Sequence, residues 1–537
     1  MLSQLFETLI VSMINLFTRN PRRAGAKRPG GLLSRLLRRG AAPAAAKPDA
    51  LPADPPVVIG DVIPSAREAL RQPRPDRREA ALWSDERKKH VWITGGTGAG
   101  KTTLLLNMID ADINAGRGIG FFDVRGDMAD RVLVRLSARY APEELADRLL
   151  LIDLRSSPAR DGPDYAVGFD PLSQGNNPHS QVAFVMDVLR QQFGGSLGCQ
   201  TEELLRNVLL AMALSHARPP LADVELFLAS PEARAALLQG VEDRGVLRFF
   251  ARFDALTDTR QWISPVMNKL SPMLSLPSLR LLLGDARSVS LRDFLDSRPD
   301  PILIVALAAD EIHGAAALAG TLLVSAVASA IMRSDRKAAA PFFLYLDEFQ
   351  NFASGSSEKF ETLISESRRY GMGLTLSHQS TSQLEPRLRV LIRNVIATHV
   401  VLASGPVDAD LLAGEMGGDE PKAVMKQVLL SQKPGEAVLT RRGLPTERIR
   451  TRYAPDPPVA ESAVRALRLA CLRRHGRPAA EVEAEMRERE ARYLPPVAAL
   501  ASRSGEKQGG GKQGGRPGKT PRKVSSMDQY EVRDHDE

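Results

Sequence analysis

The sequence predicts an α/β fold, with a mostly parallel sheet covered on both faces, a helical insertion and basic ends. Short apolar runs read as buried strands at Val91–Thr94, Gly120–Val124, Leu149–Leu154, Ile302–Leu307, Phe342–Leu346, Leu374–Ser377 and His399–Ala403. Several lead into helical patterns, the alternation that builds parallel sheets. The stretch 176–299 differs: QVAFVMDVLRQQF, TEELLRNVLLAMAL and SPEARAALLQGV have helical periodicity and few strand-like runs. The chain has 537 residues and 43% hydrophobic content, enough to bury a sizeable core.

The strand VWIT runs into GGTGAGKTT, which matches G-x-x-x-x-G-K-[ST] at Gly95, Gly100, Lys101 and Thr102. TLLLNMIDADINAG then reads as an amphipathic helix. Glycines let the backbone wrap an anion with its N–H groups, and the helix N-terminus adds positive potential. Residues Gly95, Gly96, Thr97, Gly98, Ala99, Gly100, Lys101, Thr102 and Thr103 are the candidate nucleotide cradle. Lys101 is expected to reach the β- and γ-phosphates of ATP, and the Thr102 hydroxyl to ligate Mg²⁺.

FFLYLDEFQ places an apolar run ahead of Asp347 and Glu348, which fits a site at the carboxyl edge of a parallel sheet. Asp347 is the second candidate Mg²⁺ ligand, and Glu348 the residue that activates the attacking water. EKFETLISESRRYG reads as a helix ending at Gly371, and GLTLSHQ as the next core strand. Gln379 at its end suits sensing the γ-phosphate or placing the water; a plain loop amide is the alternative. Arg368, near the helix C-terminus, favours the helix dipole in the simplest reading. His378 reads as a packing residue.

Charge separates the ends from the middle. The chain carries a net charge of +8, and residues 1–50 hold nine Lys/Arg against Glu7 and Asp49. The stretch 502–523 holds seven Lys/Arg against Glu506, so the middle is not basic. Basic ends attract polyanions such as nucleic acid or anionic lipid, or simply solubilise. Residues 1–28 start with an amphipathic run followed by arginines. An interfacial helix giving peripheral membrane contact and a helix packed on a partner both fit. No stretch is expected to reach the length of apolar residues that spans a bilayer. Two cysteines far apart exclude a disulfide framework and point to a cytoplasmic setting.

The organisation read from these patterns is a basic amphipathic segment (1–40), a Pro/Ala/Arg-rich linker (41–87), a P-loop ATPase domain (88–175 and 300–455), the helical insertion (176–299), C-terminal helices (456–500) and a disordered basic tail (501–537). The C-terminal helices are expected at Ala460–Arg474 and Ala479–Arg492, split by HGRP.

The ordered set HVWITGGTGAGKTTLL, GIGFFDVRGD, GFDPL, FFLYLDEFQNF, ESRRYGMGLTLSHQSTSQL and RNVIATHVVLASGPVDADLLA resembles the HerA/FtsK-like DNA-pumping ATPases. Within them it is most like the coupling ATPases of conjugation and type IV secretion and their soluble relatives. The resemblance implies a RecA-like domain that hydrolyses ATP with Mg²⁺ and assembles as a homo-hexameric ring around DNA. By motif it assigns Lys101 and Thr102 to nucleotide and metal, Asp347 and Glu348 to metal and water, and Gln379 to a sensor. It places Arg368 where the family supplies an arginine finger to a neighbouring subunit, and Asp127 near the nucleotide edge. Val124 stands where relatives often have proline, and Asp170 where they often have asparagine. The implied function is an ATP-driven DNA translocase in conjugative transfer or type IV secretion. The alternatives are a HerA-like partner of a nuclease in repair or defence, and an ATP-gated platform whose helical insertion recruits a relaxase or secreted protein.

Overall fold

The computed structural model describes residues 54–64, 77–157, 163–334, 341–353, 357–416 and 420–494. The amphipathic start with the whole of 1–53, residues 65–76 of the linker, and the tail after 494 lie outside the described residues. In chain order the strands are β1 (Val57–Val62), β2 (Glu79–Leu82), β3 (Val91–Thr94), β4 (Gly118–Asp123), β5 (Leu149–Asp153), β6 (Tyr165–Ala166), β7 (Ile302–Ala306), β8 (Phe342–Leu346), β9 (Met372–His378), β10 (Thr398–Leu402), β11 (Glu436–Arg441), β12 (Glu447–Arg450) and β13 (Arg477–Pro478).

Eleven strands form one sheet in the order β2-β1-β12-β11-β10-β3-β9-β8-β4-β7-β5. From β10 to β5 every neighbouring pair is parallel. These are the strands expected from the sequence, shifted at their ends by a residue or two. The remaining four extend the sheet antiparallel from β10. None of the four was expected, and β1 and β2 correct the linker reading of 41–87. Strands β2 and β12 were hidden because only one side of them is buried: in β12 only Ile449 is, between exposed Arg448 and Arg450.

Successive residues of each strand feed opposite layers. Phe121 and Tyr345 face helices α1 (Lys101–Asn114) and α2 (Asp127–Ser137), where Leu104, Leu105, Ile109, Val132 and Leu136 are buried. Phe122, Leu344 and Leu346 face the other layer. That layer contains the helical stretch from Pro178 to Asp296, including α3 (Arg244–Phe253), and then α4 (Gly314–Arg333). Helix α4 corrects an expectation: it is long and apolar enough to span a bilayer, yet mostly buried in the core. Its Ala, Gly and Ser residues pack closely; a Cβ at Gly320 would sit 2.5 Å from the Phe352 ring.

The last described elements are α5 (Glu461–His475) and α6 (Ala479–Ala491), joined by β13, which pairs with β6. Helix α5 buries Leu467 and Cys471 against the α1/α2 layer. Its Arg468 bonds Asp130 of α2 and, at 3.0 Å, Asp153 of β5. Helix α6 is fastened to the insertion by Arg489 with Asp223 at 2.9 Å.

Asp170 lies at the base of the insertion, buried, accepting from the Leu172 N–H at 3.1 Å. Burial pushes its carboxyl up to about 6. The group therefore binds its proton more tightly folded than unfolded, and stability falls as pH rises from about 4 to 6. Asp170→Asn keeps the acceptor and removes the charge. It should stabilise the protein by about 1–3 kcal/mol at pH 7.5, with no gain at pH 4, in urea melts at the two pH values.

Candidate nucleotide site

Parallel register gathers the site at one edge of the sheet. Strand β3 ends at Thr94, and the loop that follows turns back as α1. Gly98 (φ +75°) and Gly100 (φ +110°) adopt left-handed backbone, which a side chain disfavours. The loop is anchored from behind: Gly96 N donates to Ala403 O at 2.8 Å, and Gly435 N donates to Ala99 O at 2.9 Å. Lys101 is nearly buried, its Nζ donating to Gly95 O at 2.7 Å. Burial lowers its pKa, and the charges of Glu348 and Asp347 oppose that.

The acids come from neighbouring strands. Phe122 of β4 pairs with Leu346 of β8, so Asp123 and Asp347 leave the sheet side by side. Asp347 N donates to Phe122 O at 3.1 Å. Burial, with repulsion from Glu348 and Asp123, pushes the Asp347 carboxyl up to about 6. Asp123 is buried and accepts from Ala129 N at 2.9 Å and Arg125 N at 3.1 Å. It thereby anchors the start of α2, and burial raises its pKa.

Glu348 sits at φ +46°, a left-handed conformation costly for a residue with a side chain. Its Oε1 accepts from Gln379 Nε2 at 2.8 Å, and its Oε2 from Gln350 Nε2 at 2.8 Å. Gln379 Oε1 accepts in turn from Thr97 Oγ1 at 3.2 Å. One amide thus connects the loop to the acidic pair, and the strained turn at Glu348 is what aims the carboxylate at it.

Around these groups lies a cavity of about 570 Å³, lined by Thr97, Gly98, Lys101, Thr102, Asp123, Asp127, Asp347, Glu348 and Gln379 among others. The remaining loop residues, Gly95, Gly96, Ala99, Gly100 and Thr103, shape the turn without lining the cavity. Arg368 is elsewhere. It sits exposed in the turn Ser367–Tyr370, before β9 rather than after it. It therefore does not join Lys101 within this chain. His378 is fully buried, accepting from Trp92 Nε1 at 2.7 Å and stacked on that ring, and burial holds it down to about 4.

The residues fit a nucleotide triphosphate with a divalent cation. The first turn of α1 carries no acid of its own to compete with an anion at the helix N-terminus. The crowded, desolvated acids would be relieved by a cation. Among the described residues no group of three or more His, Cys, Asp or Glu forms a ready-made metal site. That suits Mg²⁺, which takes one or two protein oxygens and completes its shell with phosphate and water. Asp347 and the exposed Thr102 hydroxyl are placed to supply them. Sequence reasoning missed Asp123. Its signal, an apolar strand ending in an acid, equals that of Asp347, but only the strand register shows that the two are neighbours.

This fold and this edge of loop, lysine and strand-terminal acids define a RecA-like P-loop nucleotide-binding protein. The comparisons narrow the class. Residues 253–421 match the family model described as the type IV secretion-system coupling protein DNA-binding domain. Among solved structures, the plasmid coupling protein TrwB in complex with ADP and Mg²⁺ superposes with a TM-score of 0.53 at 16% identity, over 78% of this chain and 97% of that one. TrwB with the non-hydrolysable ATP analogue ADPNP gives 0.52 at 16% identity, over 77% and 98%. VirB4 of Thermoanaerobacter pseudethanolicus gives 0.50 at 14% identity, over 74% and 96%. No curated protein matches the sequence. The resemblance to secretion coupling ATPases read from the motifs thus stands, and at these identities the superpositions speak to the fold.

Proposed function

We propose that this chain is an ATP-hydrolysing DNA translocase, the coupling ATPase of a conjugative or type IV secretion system. The observation that carries the reading is the bonded line Thr97–Gln379–Glu348, which joins a phosphate loop to an acidic pair across one cavity. The match of residues 253–421 to a coupling-protein DNA-binding domain supplies the partner, DNA.

In this reading Lys101 leaves the loop carbonyls for the β- and γ-phosphates of ATP. Thr102 and Asp347 hold Mg²⁺, which neutralises charge on the phosphate oxygens when bound. Glu348 takes the proton of the attacking water, and Gln379 reports the γ-phosphate to the loop through Thr97. Arg368 serves the site of a neighbouring subunit in a homo-hexameric ring. The ATPase domain comprises 88–175 and 300–455, and the insertion 176–299 recruits a relaxase or another secretion-system protein. The protein is cytoplasmic, with residues 1–28 touching the inner membrane peripherally.

Purified protein should hydrolyse ATP faster when DNA is added, and Lys101→Ala should abolish turnover in a coupled phosphate-release assay. Stimulation by protein partners alone, with none by duplex or single-stranded DNA, would replace the motor by a recruitment platform.

A further inference from the structure

The folded middle of the chain carries little net charge, yet one helix of it is strongly basic. Helix α3 has the sequence RGVLRFFARF, with arginines at 244, 248 and 252 and no acid within it. Four-residue spacing puts the three on one face, successive guanidinium groups about 6 Å apart along the axis. All three residues are exposed. The opposite face buries Val246, Phe249, Phe250 and Phe253. Phe249 stacks on Phe253 at 5.9 Å between ring centres, and Trp262 closes on both. The helix is thus a rigid support for its exposed face.

The acids that border α3 are already engaged. Asp243 caps the helix, accepting from Gly245 N at 2.8 Å and Val246 N at 2.9 Å. Asp254 pairs with Arg234 at 2.8 Å. Arg244, Arg248 and Arg252 make no ion pair among the described residues, whereas other arginines of the same insertion do. Arg190 and Arg206 share Glu202, and Arg280 pairs with Glu490. Like charges four apart on a helix repel, so the stripe costs stability inside the chain and is relieved only by an external polyanion.

We propose that Arg244, Arg248 and Arg252 form a track for the phosphodiester backbone of DNA, a contact that rests on the DNA-motor reading above. The spacing suits the partner, since two nucleotides along one strand of a duplex rise about 6.8 Å. Guanidinium groups grip phosphate oxygens in pairs, which a lysine cannot do. No base-reading contact is implied, so the track is indifferent to sequence.

The test is a salt titration of DNA affinity with the full chain, comparing it with R244A/R248A/R252A and R244K/R248K/R252K. Each lost phosphate contact removes about 0.9 from the slope of log affinity against log salt on duplex. The alanine variant should lose roughly 2.7 in slope, so that raising salt from about 50 to 200 mM weakens it about 40-fold less than the parent. The lysine variant should keep most of the slope. Basal ATPase without DNA should stay at the parental value in both, and the melting temperature should not fall in either, the alanine variant being relieved of the repulsion along the stripe. An alanine variant with the parental slope on duplex and on single strands overturns the track. If that variant instead loses affinity for polyglutamate, the stripe serves an acidic polypeptide and the proposal falls. If the parent binds neither form of DNA, the DNA-motor reading itself fails.

Discussion

Glu348→Gln should bind ATP with near-parental affinity and lose turnover by about 10²–10⁴-fold, the range for removing a general base. In the proposed reading the nucleotide is held by the loop, Lys101, Thr102 and Asp347, none of which the substitution replaces. The loss falls on one carboxylate, held by Gln379 and Gln350, each at 2.8 Å. In the variant the new amide can offer only one oxygen to these two donors, so the line from Thr97 through Gln379 is weakened as well. Binding of a fluorescent ATP analogue, set beside single-turnover hydrolysis, separates the two effects. Near-native hydrolysis by the purified variant would remove Glu348 from the role of base. Loss of binding would show instead that the acid shapes the cradle.

The parts of the molecule legible in the sequence are those where both neighbours are buried. VWIT and FFLYL are continuous apolar runs because each strand has a covered face on either side. The phosphate loop is legible for another reason, since its glycines, lysine and threonine are all required by one anion within one short segment. Strands β2 and β12 escaped because a half-exposed antiparallel strand has only every second residue buried, and EAAL or ERIR look like surface. Helix α4 was not read as a candidate span because Gly, Ala, Ser and Thr interrupt its Leu, Val and Ile residues, although the whole helix is apolar. Asp123 and the α3 arginines show a further limit. The first matters through its register with Asp347, and the second through where Asp243 and Asp254 spend their charge. Neither pairing is local in the chain.

The sharpest test of assembly is Arg368, because its position leaves few roles open. Strands β3 and β9 run parallel, with Val91 beside Thr375. His90 and Arg368 therefore lie before the amino ends of those strands, while Lys101 and Gln379 follow their carboxyl ends. The seven residues of β9 separate the two edges by roughly 20 Å. An arginine at that distance cannot touch a phosphate held by its own loop. As a helix-terminal charge it contributes roughly 0.3–1 kcal/mol to stability, and Arg368→Ala would barely change turnover. As a finger it reaches the nucleotide of the next subunit in a ring, offsets charge that develops on the γ-phosphate, and accelerates hydrolysis by about 10³-fold or more. We expect the second outcome: Arg368→Ala folds, binds ATP and hydrolyses it very slowly. Lys101→Ala subunits are also inactive, for lack of a working loop. Mixing the two should restore activity, because some interfaces then join an intact loop to an intact arginine. Arg369, exposed beside it, is the next residue to test by the same mixing. Near-native turnover by Arg368→Ala would assign the residue to its own helix end, and mixed rings that form without regaining activity would exclude a role in trans.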